Sequence, residues 1–148
     1  MLVEVGIEAV ESLTRGEPVG RPTVPGWPHA DTLSGLGFVR DGGSQFLVID
    51  DDGRVAGECG TKAPPNDEGR VEIGYGLAPG SRGHGLGARA VAELLRRLAE
   101  QSAIRVVEAE VHESNTPSRR VVERLGFTVV DTAGSGYLWY RRELRRGG

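Results

Sequence analysis

The sequence predicts a single α/β domain built on a mixed, twisted sheet flanked by helices. Two observations carry this. From residue 70 onward the chain reads strand, helix, strand, helix, strand, with the central helix bearing a continuous apolar stripe. The 148 residues also suit one core, since two separate cores would each be small for independent folding.

Residues Val3 to Leu13 fit a short helix, with Val3, Ile7, Val10 and Leu13 near one face. Thr14 to Trp27 holds Gly16, Pro18, Gly20, Pro22, Pro25 and Gly26, a density of breakers that reads as an irregular loop. Asp31 is placed to cap a second short helix ending by Gly37. Gln45–Ile49 reads as a strand, and Asp50-Asp51-Asp52-Gly53 turns it into another from Arg54 to about Thr61. Ala63 to Gly69 is a polar loop leading to a strand over Arg70–Leu77. Gly80 to Gly87 forms a glycine-rich turn. From Leu86 to Gln101 the spacing is helical, with Leu86, Ala90, Val91, Leu94, Leu95 and Leu98 on one stripe and Glu93–Arg97 an i,i+4 pair. Ile104–Val111 returns as a strand. Asn115 or Thr116 caps a helix that tolerates Pro117 in its first turn and ends at Gly126. Phe127–Val130 and Tyr137–Leu144 supply two more strands.

Composition excludes several function classes. No apolar run approaches the ~20 residues that span a bilayer, so no membrane partner is expected. The first residues are acidic and lack the basic start of a secretory signal, so a cytoplasmic location is expected. Cys59 stands alone, which removes disulfides and cysteine-based zinc cages, and it reads as a small inert hydrophobe in a strand. His29, His84 and His112 form no metal-spaced motif, so no metal is expected. The terminal Arg141, Arg142, Arg145 and Arg146 read as a solvated face; with a pI near 5.7, nucleic acid is not the expected partner. No coiled-coil pattern or apolar patch specifies an oligomer, and a homodimer stays open. Charge is uneven: residues 1–74 carry 6 basic and 13 acidic side chains, residues 75–148 carry 12 and 8, so an anionic ligand is expected at the second half.

Gly80-Ser81-Arg82-Gly83-His84-Gly85-Leu86-Gly87-Ala88 lies between a strand and a long helix. Glycines let backbone N–H groups turn toward a ligand, and the helix start adds unpaired donors and the positive end of its dipole. The combination suits a phosphate or pyrophosphate, with Arg82 as a charge at the rim and His84 as a solvent or phosphate neighbour; a flexible solvent loop is the plain alternative. A nucleoside-triphosphate loop would need Gly-Lys followed by Ser or Thr, and the sole lysine, Lys62, lies far upstream. A dinucleotide fingerprint is formally present as Gly83, Gly85 and Ala88, but Pro79-Gly80-Ser81-Arg82 separates it from the strand. Too little chain follows Glu108 for a doubly wound sheet.

Arg82-x-x-Gly85-x-Gly87 after a strand and before a helix resembles the pyrophosphate loop of the GNAT N-acetyltransferase superfamily. Val71-Glu72-Ile73-Gly74-Tyr75 with Leu77-Ala78-Pro79 resembles its fourth strand, and Asn115 through Phe127 is similar to its N-x-x-S…LGF segment, in the variant found in ribosomal-protein-alanine acetyltransferases. The resemblance covers about Phe46 to Leu144. It implies one N-acetyltransferase domain over residues 1–148, with 45–144 as the acetyl-coenzyme A core and 1–44 as the variable acceptor side. It also implies central strands that splay, with the pantetheine arm between them and pairing near Leu77. The pyrophosphate then meets N–H groups from Gly83 to Ala88, while Asn115 and Ser118 lie near the thiol end. Asn115 has a competing role as a plain helix cap, and both readings stand.

Acetyl transfer needs a neutral amine, a stabilised oxyanion and a proton for the departing thiolate. Glu72 would share a strand face with Gly74 and Gly76, which suggests a cleft beside a carboxylate. An exposed strand glutamate is the ordinary reading; the resemblance makes Glu72 the candidate base. A backbone N–H near Leu77 is the candidate oxyanion donor. Many members of the superfamily carry a tyrosine at the position of Val122, so Ser118 becomes the candidate proton donor, with Tyr137 and Tyr75 as alternatives. The expected reaction is direct transfer of acetyl to a primary amine of a small-molecule or peptide acceptor. A coenzyme A-binding sensor without turnover is the competing reading.

Overall fold

The computed structural model describes residues 1–144. In chain order the elements are β1 (Leu2–Val5), α1 (Ile7–Thr14), α2 (Thr32–Leu36), β2 (Gln45–Ile49), β3 (Val55–Thr61), β4 (Arg70–Leu77), α3 (Leu86–Ala99), β5 (Val106–His112), α4 (Thr116–Arg124), β6 (Thr128–Gly134) and β7 (Tyr137–Glu143). One mixed sheet contains all seven strands in the order β1-β2-β3-β4-β5-β7-β6. Only β4 and β5 run parallel; the other neighbours are antiparallel.

Helix α3 supplies the clearest agreement between pattern and packing. Leu86, Ala90, Val91, Leu94, Leu95 and Leu98 are all buried, so the sequence stripe is the face laid on the sheet. The opposite sheet face receives α2, which packs on β3 and β4. The chain start differs from expectation. Leu2–Val5 is a strand paired with β2 in the register Leu2↔Val48 to Val5↔Gln45, and helix begins only at Ile7. The open edge of an apolar strand offers backbone partners that a four-residue helical stretch lacks, so tertiary pairing overrides local spacing. Ile7, expected on the buried face, is exposed, whereas Val10 and Leu13 are buried.

The expected turn over Asp131–Gly136 is also shorter than the spacing suggested. Residues through Gly134 continue β6, and the chain reverses at Ser135 and Gly136, both at positive φ (51° and 83°), the conformation that closes tight hairpins. Arg141 does not face solvent alone: its guanidinium meets Glu108 at 2.8 Å. Arg145 and Arg146 lie outside the described residues. No helix among those residues is long and apolar enough to cross a membrane, and none of their His, Cys, Asp or Glu side chains group to hold a metal.

The feature that positions the site is where β4 and β5 separate. Their parallel register runs from Arg70↔Val106 to Ile73↔Ala109 and stops there, although β4 continues to Leu77 and β5 to His112. Ala78 N–H bonds Ala56 O on the β3 side. Hydrogen bonding alternates along an antiparallel ladder, so Tyr75 and Leu77 turn their N–H groups the other way, into the gap.

Candidate active site

The loop after β4 begins with a short 3-10 turn, Pro79–Ser81, and then passes Gly83 and Gly85 at φ +81° and +80°. Side chains with a Cβ rarely adopt that conformation, so these two glycines let the chain enter α3 with its amides facing outward. Gly85 is the N-cap of α3 and brings no capping side chain. Among the described residues no acceptor lies within hydrogen-bond range of the N–H groups from Gly83 through Ala88; the first bonded amide is Arg89 N–H, to Gly85 O. A run of unpaired amides at the positive end of a 14-residue helix is a site for an anion. Arg82 folds its Nε back to Leu77 O at 3.2 Å, and His84 Nδ1 meets Arg82 O at 2.7 Å, so both side chains brace the loop from its rim. Gly87 faces β4, where a Cβ would meet Leu77 Cδ1 at 3.6 Å, an ordinary contact.

Beside this loop a shallow groove is lined by Gly80, Ser81, His84, Leu86, Arg54 and Arg89. The turn between β2 and β3 adds Asp50, Asp51 and Asp52, and Arg89 pairs with Asp51 at 3.0 Å while Arg54 reaches Asp50 at 3.4 Å. The linear charge asymmetry does not foresee this, because folding brings acidic residues of the first half against the basic second half.

The remaining candidates divide between the two faces of β4. On the α4 face, Asn115 Oδ1 accepts from Ser118 N–H at 3.2 Å, so Asn115 is the helix cap; its amide nitrogen has no partner among the described residues. Ser118 Oγ meets Tyr75 Oη at 2.5 Å, joining α4 to β4 across the mouth of the gap. Burial pushes the Tyr75 phenol above its ordinary pKa, and the Ser118 bond opposes that only in part. Val122 is fully buried beneath them. Tyr137, the other hydroxyl considered, instead packs edge-on against His112.

On the α2 face, Glu72 pairs with Lys62 Nζ at 2.5 Å and is registered opposite Glu108 of β5. The cleft expected beside it is narrower than two missing side chains imply. Above Gly74 only Lys62 Cε approaches, at 3.5 Å from where a Cβ would lie. Above Gly76 the space is filled: a Cβ there would fall 2.6 Å from Glu58 Oε2 and 3.0 Å from the His29 ring. Glu58, on β3 opposite Gly76, is buried and accepts from Trp27 Nε1 (3.1 Å) and Thr32 Oγ1 (2.8 Å), with His29 Nε2 at 2.8 Å from its other oxygen. Sequence reasoning missed this cluster. Its signal was a glutamate inside the wholly buried strand VAGECGT, since glutamate is almost never fully buried without partners.

Cys59, on the opposite face of β3, is buried. Burial, reinforced by the Glu58 charge, pushes its thiol pKa up to about 12. Iodoacetamide at mildly alkaline pH is expected to leave native protein unmodified and to alkylate it only in denaturant, as mass spectrometry would show; rapid native alkylation would contradict the burial.

The chain is similar in sequence and in fold to known proteins. Over 81 residues the chain is 31% identical to the uncharacterized N-acetyltransferase p20 of Bacillus licheniformis, a match covering 55% of this chain and 46% of that protein, so less than half of the relative's length is spanned. The fold superposes on a phosphinothricin acetyltransferase from Sinorhizobium meliloti solved with AcCoA, at TM-score 0.69 and 20% identity, covering 97% of this chain and 88% of that one. It also superposes on a ribosomal-protein-alanine N-acetyltransferase from Brucella melitensis, at TM-score 0.59 and 24% identity over 71% of each chain. The family model described as an acetyltransferase (GNAT) domain matches residues 24–128, and with strands that part above a loop of bare amides the chain belongs to the GNAT acetyltransferase family.

Proposed function

We propose that this protein transfers an acetyl group from acetyl-coenzyme A directly to a primary amine of a small-molecule or peptide acceptor. The observation that carries the reading is the set of unpaired N–H groups from Gly83 through Ala88, which have no acceptor among the described residues and suit a pyrophosphate. Acetyl-coenzyme A supplies an activated thioester whose thiolate is a good leaving group. The free inner edge of β4 gives the carrier's pantetheine amides a backbone partner at Tyr75, just before Leu77. Leu77 N–H is then the donor for negative charge developing on the carbonyl oxygen.

Glu72 and Ser118 take opposite halves of the proton traffic because they lie on opposite faces of β4. Glu72, held by Lys62, receives the acceptor's proton on the α2 side. Ser118 delivers a proton on the α4 side, and the neutral Tyr75 phenol restores it. The raised pKa keeps that phenol protonated through the physiological range and beyond its ordinary titration point. Tyr75→Phe is therefore expected to lower kcat roughly tenfold with little change in the KM for acetyl-coenzyme A. Its kcat–pH profile should also lose the alkaline fall expected of wild type; an unchanged kcat would remove Tyr75 from the chemistry. Cys59 carries no acetyl group in this scheme, and the unpaired thiol accords with a reducing, cytoplasmic setting. A panel of amines, scored by thiol release and by mass spectrometry of the acceptor, tests the whole. Turnover with at least one amine is expected; coenzyme A binding with no turnover on any would favour a sensor domain.

A further inference from the structure

The chain has a single lysine, and folding sets its amine on the candidate base. Lys62 follows the last residue of β3 and stands across from Glu72 of β4, where its backbone N–H donates to Glu72 O at 2.9 Å. Its Nζ lies 2.5 Å from Glu72 Oε2 and 5.6 Å from the centre of the Phe38 ring. A cross-strand ion pair is the plain account of that contact. Two further observations exceed it. The lysine stem leans over Gly74, with Cε 3.5 Å from where a Cβ would lie, and Gly74 is the first β4 residue past the final β4–β5 pair, Ile73↔Ala109. The pair is also open to solvent, the lysine and glutamate side chains being 33% and 26% exposed.

A nitrogen acetylated in this site gives its proton to Glu72 and stands where β4 and β5 begin to part. The Lys62 amine already meets both conditions. Its flexible four-carbon stem can swing the nitrogen from the carboxylate along the strand face toward a thioester in the gap. The amine at Met1 offers a contrast. It lies at the β1 edge of the sheet, 3.3 Å from Ile49 O and 3.9 Å from Glu93, away from the gap.

We propose that Lys62 is a self-acetylation site: without an external acceptor, the protein transfers acetyl from its own bound acetyl-coenzyme A to the Lys62 amine. The ammonium gives one proton to Glu72, which passes it to solvent. The neutral nitrogen then bonds the carbonyl carbon of the thioester. As the carbon–sulfur bond breaks, the nitrogen sheds its second proton and the departing thiolate takes one up. One ammonium and one thioester thus become one amide, one thiol and one released proton. The reaction stops after a single turnover, because an amide nitrogen is no longer a nucleophile, and Glu72 loses the cation beside it. This deepens the acetyl-transfer reading and rests on it.

The full-length chain is incubated with acetyl-coenzyme A near neutral pH without any acceptor, and acetyl groups are counted by intact mass and located by peptide mapping. An ordinary α-amine is less basic than an ordinary lysine, so uncatalysed acylation reaches the N-terminus first. The folded protein should reverse that order. Lys62 should gain one acetyl at a rate that saturates with acetyl-coenzyme A, urea should abolish its advantage over Met1, and Glu72→Gln should slow it by about 100-fold or more. No acetyl on Lys62, a Met1 amine that reacts as fast, or an unslowed rate in a folded E72Q would overturn the proposal. If E72Q does not fold, the comparison of native with urea-unfolded wild type still decides. Calorimetry with coenzyme A and turnover of the amine panel separate the two readings. Turnover of an external amine with Lys62 unmodified would end this proposal and leave acetyl transfer standing, whereas absence of coenzyme A binding would end both.

Discussion

Gly85→Val is expected to weaken coenzyme A binding by at least about 100-fold, or roughly 2.7 kcal/mol, while the protein stays folded. Two effects combine. Valine at φ +80° is strained by about 1–2 kcal/mol, which tilts the loop toward a conformation that no longer aims its amides. A Cβ at Gly85 meets nothing within 4 Å, so the added side chain projects into the space outside the helix start, where the pyrophosphate is placed. Isothermal titration calorimetry measures the affinity, and the circular dichroism melt confirms the fold. Gly87→Ala is the companion, since its Cβ would make only an ordinary 3.6 Å contact with Leu77 and residue 87 needs no positive φ. It should lose much less. Equal losses in the two variants would mean that loop conformation at Gly85 is not what holds the carrier.

Glu72→Gln is expected to lower kcat by about 100-fold to 10,000-fold, the range that a positioned general base contributes, with the dissociation constant for coenzyme A unchanged. Glutamine keeps the size of the side chain and can still contact Lys62, so loss of the negative charge is isolated from loss of packing. The effect should appear in kcat more than in the KM for acetyl-coenzyme A, because Glu72 lies on the α2 face, away from the loop. Stopped-flow or steady-state thiol release on an acceptor identified by the amine panel provides the numbers. A parallel fall in coenzyme A affinity would show that Glu72 shapes the fold around the gap rather than accepting a proton.

The parts of this fold that were legible in the sequence are those whose neighbours are set locally. The stripe of α3, the limits of β2 and β4, the Asn115 cap and the glycine turn all depend on periodicity or on backbone conformation that few residues tolerate. What escaped depends on contacts between distant residues. Leu2–Val5 becomes a strand only because β2 is there to pair with it. The Tyr75–Ser118 bond spans 43 residues and joins a strand to a helix on one face. Glu58 lies in an apolar run where its charge looked incidental, and its donors come from a proline-rich loop that has no regular spacing to read. Glycines show the same division: positive φ at Gly83 and Gly85 is foreseeable from a turn, whereas Gly76 is small because a carboxylate and an imidazole from elsewhere occupy the place of its side chain.

A crystal structure with coenzyme A bound decides most directly whether the bare amides hold the carrier. Pyrophosphate oxygens should lie about 3 Å from backbone nitrogens between Gly83 and Ala88, with the pantetheine arm along the free edge of β4 at Tyr75 and Leu77. Coenzyme A seated elsewhere, or a loop whose amides turn inward to the protein's own acceptors, would contradict it.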